Sequence, residues 1–218
     1  MAEPETIAVI GLAAFGRSIA EMLIELGHEV LGIDRNEGRV QELSALLTHV
    51  VSADATEPNV LERLGVPGMD HVIVAIGDHI EESVLCTAAL VDLGAKDIWA
   101  QAHSVAHARI LERIGANRVV NPERDTGRRL GRLVSGRLLD YIEIDEGFAL
   151  LEVTVPPHLV GTTVRDAQLR SRYGLIAVSV RQPGGMFGDV TPDVVLTEGA
   201  TILVAGQRTL IDTFAGPA

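Results

Sequence analysis

Residues 7–34, IAVIGLAAFGRSIAEMLIELGHEVLGID, constrain the fold of this 218-residue chain more than any other segment. An apolar run, Ile7 to Ile10, meets a tight turn at Gly11, and a helical pattern starts near Phe15 and Gly16. A second apolar run, Val30 to Ile33, closes on Asp34, 23 residues after the first glycine. Strand, glycine turn, helix, strand and carboxylate follow one another as in a dinucleotide-binding Rossmann unit. In such a unit a pyrophosphate sits on the helix N-terminus, where unpaired N–H groups and the helix dipole favour negative charge. The spacing here is G-x-A-x-x-G, with Ala13 where the second glycine would stand. Its methyl either shifts a phosphate outward or lowers its affinity, so the unit says "nucleotide" without saying which.

The alternation continues past Asp34. A helical stretch, Gly38 to Leu47, leads to a strand, His49 to Ser52, and the turn Asp54-Ala55-Thr56. A short helix around Val60 to Leu64 precedes a continuous apolar strand, His71 to Ile76. Ile80 to Leu93 reads as a helix, Ile98 to Ala102 as a strand, Ala106 to Ile114 as a helix and Arg118 to Val120 as a sixth strand. Apolar strands separated by helices of about ten residues predict a parallel, doubly wound α/β sheet. A longer helix, Asp125 to Leu139, is expected to leave that sheet as a crossover or dimer contact.

The texture changes from Tyr141. Strands are expected at Phe148 to Val155, Leu175 to Arg181 and Thr201 to Ala205, with short helices at Thr163 to Leu169 and Thr209 to Phe214. This predicts a small α+β C-terminal module. The expected domains are 1–138 and 139–218, coupled rigidly through the long helix with no low-complexity linker.

The charge balance excludes one function class. With 18 basic against 30 acidic side chains, a net charge of −12 argues against a nucleic-acid partner, which needs a basic face. No apolar run approaches the ~18 residues of a membrane helix, and the N-terminus lacks a signal-peptide pattern, so a soluble intracellular protein is expected. Cys86, the single cysteine, excludes an internal disulfide and reads as a buried, inert thiol.

Gly11, Ala13 and Gly16, with Phe15 and Arg17 in the same turn, are the candidate phosphate segment. Asp34 is the candidate for a ribose hydroxyl. Arg35 beside it could favour a 2′-phosphate, but a carboxylate at the strand end repels one, so a 2′-hydroxyl nucleotide is preferred. Asp54, Ala55, Thr56 and the Ala75, Ile76 and Gly77 backbone end the third and fourth strands, where an open parallel sheet has its crevice. Asp54 could accept from an adenine amino group. His103 and His107 stand four apart but lack a third ligand nearby, and are expected to be solvated rather than a zinc site. Glu123 lies just past the sixth strand and by itself reads as a helix N-terminal acid. Lys96, the only lysine, is outside any G-x-x-x-x-G-K pattern, and no nucleophile elbow is present, so a P-loop and a Ser-His-Asp hydrolase are excluded.

The chain resembles the regulator-of-conductance-of-potassium (RCK) family, of the Ktr type, with a KTN (TrkA-N) domain followed by a TrkA-C module. The resemblance spans nearly the whole chain. Its carriers are VIGLAAFGRSIAEMLIELGHEVLGIDRNEGRV, the DAT segment at 54–56, VIVAIG at 72–77, ILERIGANRVVNPERDTGRRL at 110–130 and RSRYGLIAVSVR at 170–181. It implies ATP, ADP or NAD(H) in the Rossmann cleft, and dimers assembling into an octameric gating ring under a membrane potassium-channel subunit. The protein would then be cytoplasmic and peripheral on the inner face of the membrane through that partner. Carried over by position, Gly11, Ala13 and Gly16 form the phosphate turn, Asp34 holds ribose, and Asp54–Thr56 with Ala75–Gly77 hold the base. Glu123 resembles an acid that in some relatives binds a cation, magnesium or sodium, at the dimer interface. Arg170, Tyr173 and Ile176 are candidate contacts for cyclic di-AMP in the TrkA-C module.

Two positions depart from the ATP-sensing pattern. Ala14 stands where an arginine often faces the terminal phosphate, with Arg17 pointing elsewhere, and Gln101 replaces a common lysine. Charged hydrogen bonds are worth about 1.5–3 kcal/mol each, so the preference for ATP over ADP is expected to weaken by roughly tenfold or more. The rival from another class is an NAD-dependent redox enzyme or orphan dehydrogenase-like domain, weakened by the missing substrate domain. A redox-sensing transcription factor fits poorly with the acidic charge.

Overall fold

Six apolar runs become six parallel strands. A computed structural model describes residues 3–134, 138–144 and 147–215. It contains β1 (Thr6–Ile10), β2 (Glu29–Asp34), β3 (His49–Ser52), β4 (His71–Val74), β5 (Ile98–Gln101) and β6 (Arg118–Val120), in the order β3-β2-β1-β4-β5-β6. The crossovers are α1 (Ala14–Glu25), α2 (Glu37–Leu43), α3 (Pro58–Arg63), α4 (Ile80–Asp92) and α5 (Val105–Ile114). Successive residues of β1 point to opposite faces, and both faces are covered. Ala8 and Ile10 join Ile33, Val74, Cys86 and Leu90 on one side, while Val9 joins Val30, Leu43 and Leu47 on the other. Burial on both faces is why these strands read as continuous apolar runs rather than as alternating ones.

The expected doubly wound sheet is therefore present, with small shifts at its element ends. The helix expected over 38–47 stops at Leu43 and gives way to a turn, and the strand expected to reach Ile76 ends at Val74. Larger differences follow β6. The long helix, α6 (Pro122–Val134), starts earlier than expected, with Pro122 at its first position, where a missing N–H costs nothing. It does not run to Leu139. Residues 135–137 lie outside the described residues, and Leu138 already belongs to a strand, β7 (Leu138–Glu143).

The second sheet is antiparallel. It adds β8 (Phe148–Thr154), β9 (Ile176–Arg181), β10 (Phe187–Gly188) and β11 (Thr201–Gln207), in the order β10-β9-β11-β8-β7. Between β8 and β9 the single helix expected at 163–169 is two short ones, α7 (Val164–Ala167) and α8 (Leu169–Tyr173). Gln168 separates them with a left-handed backbone, φ +48°. A helix, α9 (Arg208–Ala215), follows β11. Leu151, Val153, Leu175, Ile202, Val204 and Phe214 form this module's own core.

By contacts the chain divides into units at Glu123/Arg124, so most of α6 counts with the second unit. Among the described residues no helix is long and apolar enough to cross a membrane.

Candidate nucleotide-binding site

The strand order reverses at β1, whose neighbours β2 and β4 carry crossovers in opposite directions. An open α/β sheet has its ligand crevice at that switch point, outside the carboxyl ends of the strands. Here the crevice is a cleft of about 360 Å³ lined from the ends of β1, β2, β3 and β4.

Two glycines shape its floor. Gly11 has φ +93° and donates its N–H to the Ile33 carbonyl at 2.8 Å, and a Cβ there would lie 2.7 Å from the Ala75 oxygen. A Cβ on Gly16 would lie 1.9 Å from the Gly11 oxygen, so α1 can approach the turn only through a glycine. Ala13 is tolerated because it caps α1 in an extended conformation, φ −68° and ψ −177°. No side chain caps α1, and its first turn holds no acid. The first intrahelical bond runs from Arg17 N to the Ala13 oxygen, so the N–H groups ahead of it are left for an anion.

Asp34 ends β2 and is only 8% exposed. Its Oδ2 accepts from the Leu12 N–H at 2.7 Å and from Arg39 Nη1 at 3.2 Å, and Oδ1 accepts from the Asn36 N–H at 2.7 Å. The carboxylate thus braces the glycine turn, and about one of its roughly four acceptor positions remains open. Arg35 bonds Asp54 Oδ1 at 2.6 Å and Glu82 Oε1 at 2.5 Å. Asp54 Oδ1 also accepts from the Thr56 N–H and hydroxyl, at 2.9 and 2.6 Å. The Arg35 guanidinium, followed by Thr56, holds the Asp54 carboxyl at about 2, below its ordinary 3.8. None of these bonds uses Asp54 Oδ2. Gly77 lies under Gln101, whose Nε2 would be 2.7 Å from a Cβ there.

Gly11, Ala13, Asp34, Arg35, Asp54, Ala55, Thr56, Ala75, Ile76 and Gly77 all line the cleft. Phe15, Gly16 and Arg17 do not. Gly16 acts through packing, and Arg17 turns to Glu21 and Glu42, at 2.8 and 3.5 Å. Sequence reasoning missed Asn36, Arg39, Asp78, His79 and Glu82, which also line it. The signal for the first two was their place just past Asp34. The others follow the β4 end, which the switch-point rule singles out.

Outside the cleft, Glu123 Oε1 accepts from Gln101 Nε2 at 3.0 Å. The expectation of two solvated histidines holds for His103 and fails for His107, which is 1% exposed. His107 Nδ1 accepts from the His103 N–H at 3.2 Å, its Nε2 has no partner among the described residues, and burial followed by the charge of His103 pushes its pKa down. Helix α5 turns this face inward, which a spacing of four cannot reveal. The Cys86 thiol is buried and pushed up to about 12, as an inert thiol should be. In the second unit the Tyr173 hydroxyl pairs with His158 Nε2 at 2.9 Å, while Arg170 and Ile176 are exposed nearby in sequence.

Known proteins resemble this chain in domains, in sequence and in fold. The TrkA-N domain model matches residues 7–122 and the TrkA-C domain model residues 149–216. The Ktr system potassium uptake protein C of Bacillus subtilis (strain 168) is 37% identical over 208 residues, covering 95% of this chain and 94% of that protein. The crystal structure of the GsuK RCK domain superposes with a TM-score of 0.69 at 22% identity, over 99% of this chain and 48% of that one. The GsuK channel bound to NAD gives 0.67 at 22% identity, over 95% of this chain and 38% of that one. The chain thus spans about half or less of those GsuK chains, and the likeness to them is one of fold.

Proposed function

This chain belongs to the TrkA-N/TrkA-C family, and on that footing we propose that it is a nucleotide-sensing regulatory subunit of a membrane potassium uptake system. The observation that carries the reading is the cleft. An uncapped helix N-terminus and a strand-end carboxylate meet in one cleft at the switch point, in a chain alike to a potassium uptake protein along nearly its full length.

In this reading an adenine nucleotide, ATP, ADP or NAD(H), lays its phosphates on α1, its ribose on Asp34 and its base between Asp54–Thr56 and Ala75–Gly77. Residues 1–138 bind it, and 139–218 form the regulatory module. The protein acts without catalysis, at the cytoplasmic face of the membrane, as dimers assembled into an octameric ring on a channel subunit. A nucleotide can gate only through different affinities for two ring states. Glu123 and α6 follow the cleft strands directly and are the segment through which that difference passes. Among the described residues no three His, Cys, Asp or Glu side chains gather as a metal site. A magnesium or sodium ion at the dimer interface would therefore take one oxygen from Glu123 and the rest from phosphates and water. Cyclic di-AMP would meet Arg170, Tyr173 and Ile176.

Titration calorimetry with ATP, ADP, NADH and cyclic di-AMP, with and without magnesium, tests the reading. The expected result is adenine nucleotide binding that weakens at least tenfold in Asp34→Ala, with ATP preferred over ADP only weakly. Absence of binding by every adenine nucleotide would overturn it, and turnover of NADH with a second substrate would favour a redox enzyme instead.

A further inference from the structure

Arg35 is the first residue past β2, and its guanidinium ties two crossovers together. Nη1 donates to Glu82 Oε1 in the first turn of α4 at 2.5 Å. Nη2 donates to Asp54 Oδ1, beyond β3, at 2.6 Å, with Thr56 Oγ1 at 3.3 Å. One planar group is thus fixed at both ends by carboxylates from opposite sides of the switch point, and all three residues line the cleft. The lining is acidic on balance, with Asp34, Asp54, Asp78 and Glu82 against Arg35 and Arg39. Arg39 is itself committed to Asp34 at 3.2 Å. Both arginines of the lining are therefore already matched to carboxylates.

We propose that Arg35, held flat by Asp54 and Glu82, is the specificity residue of the cleft: it offers its face to a purine ring and bars nucleotides phosphorylated on the ribose 2′-hydroxyl. This rests on the cleft being an adenine nucleotide site. A guanidinium whose N–H edges are engaged by carboxylates still has open faces on which an aromatic ring can stack. At an exposed position such stacking is worth about two- to fivefold in affinity. The ribose end of the ligand lies at Asp34, next to Arg35. A 2′-phosphate arriving there meets the Asp34 carboxylate and must draw Arg35 away from Glu82 and Asp54, leaving Glu82 without its arginine and Asp54 with only its Thr56 bonds. A 2′-hydroxyl makes no such demand. Charged hydrogen bonds of this kind are strong enough for discrimination of at least tenfold.

The test titrates the wild-type protein with NAD⁺, NADP⁺ and ADP, then repeats the series on Glu82→Gln and Arg35→Ala, with thermal unfolding as the check on folding. The expected results are NADP⁺ at least tenfold weaker than NAD⁺, and a ratio narrowed severalfold in Glu82→Gln, where Arg35 gains freedom and the cleft loses a negative charge. ADP should weaken two- to fivefold in Arg35→Ala. NADP⁺ binding as tightly as NAD⁺ to the wild type, or an unchanged ratio in Glu82→Gln, would remove the role given to Arg35 and leave the cleft reading standing. A wild-type protein that binds none of the three overturns the cleft reading and takes Arg35 with it. The wild-type ratio needs no variant, so a misfolded mutant cannot shield the idea.

Discussion

Along β2 five consecutive residues, Val30 to Asp34, are buried, whereas along β8 burial alternates, with Ala149, Leu151 and Val153 inside and their neighbours partly open. The first sheet is covered by helices on both faces. The second has its buried cluster on one face, and Ile142, Ile176 and Val178 remain roughly half exposed. This difference decides where a ligand can lie. Parallel strands deliver all their carboxyl ends to one edge, so loops from β1 to β4 converge on a single cleft. Antiparallel strands divide their ends between two edges. The parallel unit therefore makes its site from loop backbone and helix termini.

Core substitutions should break this contrast most strongly. Ile33→Ala removes a fully buried side chain from the parallel sheet and should cost about 4 kcal/mol in chemical denaturation. Val178→Ala on the half-open face of β9 should cost about 0.5 kcal/mol. Equal losses would mean that the second sheet is covered in solution as fully as the first. The glycines give the next largest difference. Gly16→Ala forces a Cβ against the Gly11 carbonyl and should cost about 3 kcal/mol and abolish nucleotide binding. At Gly174, φ +67°, the added Cβ meets the mobile end of Leu210, so Gly174→Ala should cost about 1 kcal/mol, mostly backbone strain, and leave nucleotide binding intact. With two units present, each loss should be read from a probe local to its own unit.

The smallest effect expected is one of pH. His107 is buried neutral, and its folded pKa lies below the unfolded 6.5. The unfolded chain then binds more protons, so the His107 contribution is complete above 6.5 and is lost as pH falls through that value towards the folded pKa. Stability of the first unit should decline from pH 7 to pH 5, and His107→Gln should flatten the decline. An unchanged slope would assign it to other groups. Asp54 runs the opposite way in pKa origin but not in sign. Its contribution is complete above 3.8 and fades only as pH approaches about 2, so the Arg35 tie persists throughout that titration.

Much of the site was legible in the chain because its parts are local. Gly11, Ala13 and Asp34 follow from one strand–turn–helix–strand segment, and β3 and β6 match their expected spans to the residue. Legibility failed where partners are distant. β7 was not expected, and its first two residues, 138–139, fell at the end of the expected helix, because an edge strand of an antiparallel sheet carries only weak alternation. Glu82 is a first-turn acid of α4 that the sequence did not single out, and nothing near it in sequence points to Arg35, 47 residues away. His107 looked solvated because a spacing of four fixes a helix face without saying which way that face turns.

By itself, then, the sequence determined the elements, the glycine turn and the strand-end carboxylate, since periodicity and backbone sterics act over a few residues. Only the tertiary structure decided that Asp34 braces the turn, that Arg35 is held between two carboxylates and that His107 is shut inside. These depend on strand order and helix docking, which long-range burial sets and no local pattern encodes.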